Sequence, residues 1–142
     1  MENGKREVEM LMDALLPLAI QMLEKHGEFF PYGGVIGSDG KVTHVGVKDP
    51  DTDRPRSSRL IEILSRDFGE RAERGEIRAC GIVCDMKIEA PGSSEASDAI
   101  RIHLEHRAAY CADVFIPYKR SETGAVVRGE LFATKGTALS FV

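Results

Sequence analysis

No uninterrupted apolar run in this sequence approaches the roughly 20 residues that span a bilayer, which excludes an integral helical membrane protein. No export signal is expected either. The chain opens Met1-Glu2-Asn3-Gly4-Lys5-Arg6-Glu7, too acidic for a signal's charged region, and Asp13 and Pro17 interrupt the apolar stretch behind it. The cytoplasm is the expected location. Positive charge is in deficit too: 19 Lys and Arg face 23 Asp and Glu, a formal net charge of -4, so no whole-domain field draws phosphate backbones or anionic lipid. Neither nucleic acid nor a membrane is expected as a partner. The one run of arginines, Arg54, Arg56, Arg59 and Arg66, alternates with Asp51, Asp53, Glu62 and Asp67 in the manner of a solvated helix face.

Cysteine is scarce and odd in number. Cys80, Cys84 and Cys111, with no export signal expected, argue against a disulfide framework. Three residues separate Cys80 from Cys84 where redox and zinc motifs place two, so the thiols read as small core hydrophobes. Nucleotide and hydrolase motifs are absent. Gly33-Gly34-Val35-Ile36-Gly37 lacks the G-x-G-x-x-G order and opens no helix, and neither G-K-[ST] nor G-x-S-x-G occurs. Asp49-Pro50-Asp51-Thr52-Asp53 begins like a calcium loop, but Arg54 stands where its turn needs glycine and Leu60 where it needs glutamate. Those carboxylates read as turn and cap residues.

What remains is an ordinary globular composition over 142 residues, 42% hydrophobic and 30% charged, expected to form a single domain over 1–142. Val8, Leu11, Met12, Leu15, Ala19, Met22 and Leu23 recur at three-and-four spacing, which predicts a helix from about Lys5 to Lys25 with a kink at Pro17 and a stop at Gly27. Leu16 and Leu18 add apolar surface beyond that stripe. Two short strands flanking Ser38-Asp39-Gly40 predict a hairpin. A second helix is expected from Asp53 or Ser57 to Arg74, with Leu60, Ile61, Leu64, Phe68 and Ala72 as its apolar stripe.

From Ile77 the period changes to two. Cys80, Ile82, Cys84, Met86 and Ile88 share one strand face, and a polar connection over 91–97 follows. Ile100, Ile102 and Leu104, then Tyr110, Ala112, Val114, Ile116 and Tyr118, face the core on two further strands, and a last strand is expected from Ala125 to Thr134. The fold class is α+β, a mainly antiparallel sheet of about six strands with two helices, in the order α-β-β-α-β-β-β-β. Both helices are expected on one face. Val83, Phe115, Val126 and Phe132 are out of phase with the core positions and would make the other face apolar.

Glu28-Phe29-Phe30-Pro31-Tyr32-Gly33 behind the first helix, with Ile116-Pro117-Tyr118 later, resembles a group of small uncharacterised bacterial proteins with an E-F-aromatic-P-aromatic-G motif. That resemblance implies no activity. The order of elements is also similar to roadblock and longin-type domains, which are dimerising scaffold modules, and at the level of fold this implies a protein-contact role.

Among chemistry-bearing residues, His103, His106 and Cys111 gather near one turn, yet no fourth ligand accompanies them and no metal is expected. Arg101, His103, Glu105, Asp113, Arg128 and Glu130 would cluster on the non-core face if the hairpins pair in register. A turn over His106-Arg107-Ala108 puts Arg101 opposite Asp113 and His103 opposite Cys111, and a four-residue turn later would place Arg128 beside Asp113. Cross-strand ion pairs are the first reading, and an acid/base pair of His103 with Glu130 the second. Two functions stay open. One is a non-enzymatic domain acting by protein contact, a homodimer built on the apolar sheet face or the Pro17 helix. The other is a small-molecule binder or modest enzyme, with a pocket between the first helix and Phe29-Phe30-Pro31-Tyr32 and ligand-binding groups from Tyr32, His44, Arg101 and His103. No cofactor is implied in either.

Overall fold

The computed structural model describes residues 2–89, 92 and 95–141. Helix α1 (Glu2–His26) lays Val8, Leu11, Leu15, Ala19 and Leu23 in one fully buried row, the pattern its sequence spacing predicts. The helix runs through Pro17, which faces solvent, so the N–H bond that proline withholds from the Asp13 carbonyl is lost on the watered side. Gly27, at φ 79°, ends it by donating its N–H to Leu23 O at 2.8 Å.

Strands β1 (Tyr32–Gly37) and β2 (Val42–Val45) form the expected hairpin, with Gly40 at φ 84° and the Asp39 carboxylate accepting the Lys41 N–H. Helix α2 (Ser57–Glu73) follows. Its N-cap, Arg56, makes no side-chain cap bond; Asp49 and Thr52 instead accept backbone N–H groups two residues on and shape the preceding loop. A Schellman closure ends it at Gly75, with Gly75 N–H on Ala72 O and Glu76 N–H on Arg71 O. Arg59, Glu62, Arg66, Asp67 and Arg71 form ion pairs along its solvated face, as expected.

Strands β3 (Ile77–Glu89), β4 (Ala96–His106) and β5 (Tyr110–Arg120) make a long antiparallel meander. Residues 91, 93 and 94 of the expected polar connection lie outside the described residues, and its Ala96 and Ser97 already belong to β4. The single last strand expected over 125–134 is two strands, β6 (Val126–Arg128) and β7 (Phe132–Lys135), which share one edge of β5. Pro117 explains the split. Its carbonyl accepts the Gly129 N–H at 2.6 Å, so the missing N–H of proline faces the same edge and the ladder lapses there. The result is a seven-stranded antiparallel sheet, β2-β1-β3-β4-β5-β6 with β7 also on β5, and two helices. No helix among the described residues is long and apolar enough to cross a membrane.

The helices lie on opposite faces, contrary to the expectation of one shared face. Ala79 and Val83 of β3 pack under α1, while Cys80 and Ile82, in the other phase of the same strand, pack under Leu64 and Phe68 of α2. Val83 therefore belongs to the α1 core with Ile100, Ile102, Leu104, Val114, Ile116 and Tyr118, and Val126 packs against that core too. Only Phe115 and Phe132 of the out-of-phase set reach the other face. The glycines of β1 serve this double packing: a Cβ on Gly34 would stand 2.5 Å from Leu15 Cδ2 of α1, and one on Gly33 would stand 2.8 Å from the Phe68 ring of α2.

Candidate functional site

The β4–β5 turn occupies Arg107, Ala108 and Ala109, one residue later than the sequence suggests, with Ala109 at φ 62°. This slides the register by two residues, which keeps every side chain on its face. His103 stands opposite Asp113 rather than Cys111, Arg101 opposite Phe115, and Glu105 opposite Cys111. Arg101 still reaches Asp113 diagonally, with Nη2 at 2.9 Å and Nε at 3.1 Å from Oδ1.

Four side chains thus form a chain of alternating charge on the α2 face. His103, 3% exposed, sits between two carboxylates: Nδ1 is 2.8 Å from Asp113 Oδ1 and Nε2 is 2.7 Å from Glu105 Oε2. Burial opposes charge on the imidazole, but the hydrogen bonds from Asp113 and Glu105 outweigh it and raise the pKa to about 9. His103 is therefore an imidazolium at neutral pH. Burial likewise works against the Glu105 and Asp113 carboxylates, yet both are held below their ordinary range, Glu105 by His103 and three backbone N–H groups, Asp113 by His103 and Arg101.

Those three N–H groups come from the end of the chain. Leu139, Ser140 and Phe141 each donate to the Glu105 carboxylate at 3.0 Å, and Ser140 Oγ donates to Ser65 O on α2. Glu105, fully buried, clasps the C-terminal segment onto the sheet beside α2. With both ring nitrogens engaged and a void of only about 10 Å³ beside it, lined by Ile61, Ile82, Cys84, Arg101 and Leu139, His103 has neither a free lone pair nor room for a reactant. The cluster is a charge-balanced clasp in character.

The other groups singled out from sequence do not join it. His106 points to the α1 face and bonds Glu7 Oε1 at 2.8 Å, so it cannot converge with His103 and Cys111, and no group of metal-holding geometry occurs among the described residues. Arg128 stands opposite Tyr118 on the α1 side, and Glu130 lies exposed between β6 and β7, so neither partners Asp113 or His103. Burial pushes all three thiols up, Cys111 to about 11 with the Glu105 and Asp113 charges adding, which leaves them protonated rather than nucleophilic.

Tyr32 and His44 lie apart from Arg101 and His103. The Tyr32 hydroxyl is buried under α1 and donates to Leu15 O at 2.5 Å, with Phe29 edge-on at 5.9 Å. His44 sits on the edge strand β2, where Nε2 meets Ala14 O at 3.0 Å. It shares with Pro17 and Arg128 an open groove of about 980 Å³ along the outer side of α1. Phe30, 60% exposed, instead borders a hollow of about 370 Å³ formed with Val47, Pro55 and Leu60.

Beyond the clasp the α2 face lies open. Phe115 and Phe132 stack there, ring centres 5.1 Å apart and planes at 19°, each only half-buried. Val127, 59% exposed, shares the face through its pairing with Lys119, and Leu139 borders it at 43% exposed. No family model, curated protein or solved structure matches the chain. The functional reading therefore rests on these surfaces themselves.

Proposed function

We propose that the protein acts through protein–protein contact, as a homodimer joined by the open half of the α2 face. The Phe115–Phe132 stack carries this reading: two aromatic rings are set side by side on a sheet face that neither helix covers. From Phe115 to Arg120, β5 spans roughly 20 Å, and three to four strands span roughly 14–19 Å, on the order of 350 Å², which forms the centre of an interface that the flanking residues complete. A second copy suits this face better than a partner of opposite charge, because Arg101 and Asp113 already neutralise each other beside the aromatic pair. The three free thiols fit work in a reducing compartment such as the cytoplasm.

Light-scattering chromatography across a concentration series tests the reading. The expected mass is twice 15.6 kDa, falling to 15.6 kDa for Phe132→Glu with an unchanged circular dichroism spectrum. A wild-type monomer at high concentration, or a Phe132→Glu dimer, defeats it.

A further inference from the structure

On the opposite side of the molecule, the first turns of α1 meet the start of β3 and the β4–β5 turn around a cavity of about 570 Å³. Arg6, Arg78 and Arg107 line it, together with Glu7, His106, Gly4 and Ala108. Three arginines and a single carboxylate line it, in a chain whose formal net charge is -4. This local excess of positive charge runs against the balance of the whole molecule.

The one carboxylate is already engaged. Glu7 Oε2 accepts from Arg78 Nη1 at 3.1 Å and Oε1 from His106 Nε2 at 2.8 Å, and its pKa is lowered chiefly by the His106 bond. The Ala108 N–H donates to His106 Nδ1 at 3.0 Å, which fixes that nitrogen as acceptor and Nε2 as donor to Glu7. Arg78 is held further by Ser38 O on Nη2, while its Nε is buried with no acceptor, the one such side-chain atom among the described residues. Even with Glu7 and Ser38 in place, this guanidinium keeps one N–H without an acceptor. Arg6 and Arg107 are exposed and make no ion pair among the described residues.

We propose that this cavity binds a phosphate-type dianion, free or at the end of a small phosphomonoester, through Arg6, Arg107 and the pre-oriented Arg78. Guanidinium forks match the oxygens of such a group in pairs, a geometry that monovalent chloride cannot use. Arg78 supplies the fixed member of the site, and the two exposed arginines close on the ligand.

Amide NMR with inorganic phosphate, and separately with glycerol phosphate, at constant ionic strength set by sodium chloride, tests the proposal. Saturable shifts are expected at Gly4, Arg107 and Ala108, lost or weakened at least about tenfold in the double variant Arg6→Gln/Arg107→Gln, whose other resonances should not move. Tighter binding of the ester would assign the ligand as a phosphomonoester, and equal binding as the free ion. Shifts that never saturate, that chloride reproduces, or that persist undiminished in the double variant overturn it.

Discussion

The two faces of the sheet are covered by different means. On one, α1 spans about 37 Å at the helical rise and touches every strand from β1 to β6, so an apolar layer closes completely, from Tyr32 and Ile36 to Ile116 and Tyr118. On the other, α2 spans about 26 Å and packs mainly on β1 and β3. The strands beyond its reach carry a charged clasp, then an exposed aromatic pair. Helix length, rather than any lack of apolar residues on the strands, determines where the second face stays open.

If the clasp is what seals the middle of that second face, its loss should cost more than any single change on the α1 side. Glu105→Ala would leave the buried His103 imidazolium short of a partner and three N–H groups of the C-terminal segment without an acceptor. A loss of about 3–5 kcal/mol is expected, read as a drop in the denaturant midpoint, with exposure of residues 139–141 to hydrogen exchange. Glu105→Gln should recover part of it, since the amide oxygen still accepts. If Glu105→Ala melts like the parent, the clasp is ornamental and α2 alone holds that face.

The α1 face is breakable by the opposite fault, too much volume. Gly34→Ala drives a Cβ to 2.5 Å from Leu15 Cδ2 and 3.1 Å from Thr43 O, and about 1–3 kcal/mol of destabilisation is expected. Leu15→Ala alone should also destabilise, but the double variant should lose less than the two losses added together, because removing Leu15 vacates the space the new methyl needs. Strict additivity would mean that the helix does not rest where the glycines permit.

Much of this contrast was readable in advance, and the failures have specific causes. The three-and-four spacing of α1 and the Asp39-Gly40 turn declare themselves locally, and both helices and the hairpin lie where the sequence puts them. The placement of α2 does not. Residues 79–84 of β3 are apolar or small in both phases because the strand is covered on both sides, so no blank phase marks which helix lies where. The β4–β5 register slipped because Ala109 takes a positive φ, a conformation usually announced by glycine or asparagine. Arg101, His103, Glu105 and Asp113 share one face in either register, since a slide of two residues preserves the face; Arg128 turns to the α1 face because the β5–β6 turn holds five residues rather than four, and Glu130 falls away because Pro117 breaks the ladder beyond it. The cavity of Arg6, Arg78 and Arg107 had no local signal at all, its members lying up to 101 residues apart (107 − 6).

Proton linkage offers the finest separation of the two faces, because His103 stands between two carboxylates, whereas His106 on the α1 side meets Glu7 alone. A folded pKa of about 9 against an ordinary 6.5 means that this histidine's contribution is complete below pH 6.5 and disappears as pH rises through 9. The lowered carboxylates of Glu105 and Asp113 act on the acid side: their contribution is present above the ordinary carboxylate range and is lost as pH falls through their folded values. Stability should therefore peak in mildly acidic solution and fall by about 1 kcal/mol between about pH 6 and pH 7.5, a window that stops short of most thiol ionisation in the unfolded chain. Urea midpoints measured at both ends check the size. His103→Gln should be less stable at pH 6 and nearly flat across the window, whereas Leu15→Ala, on the other face, should be shifted down with the parent's slope intact. A parent with no slope would place His103 outside the clasp in solution, and a His103→Gln variant that keeps the slope would assign it to a different group.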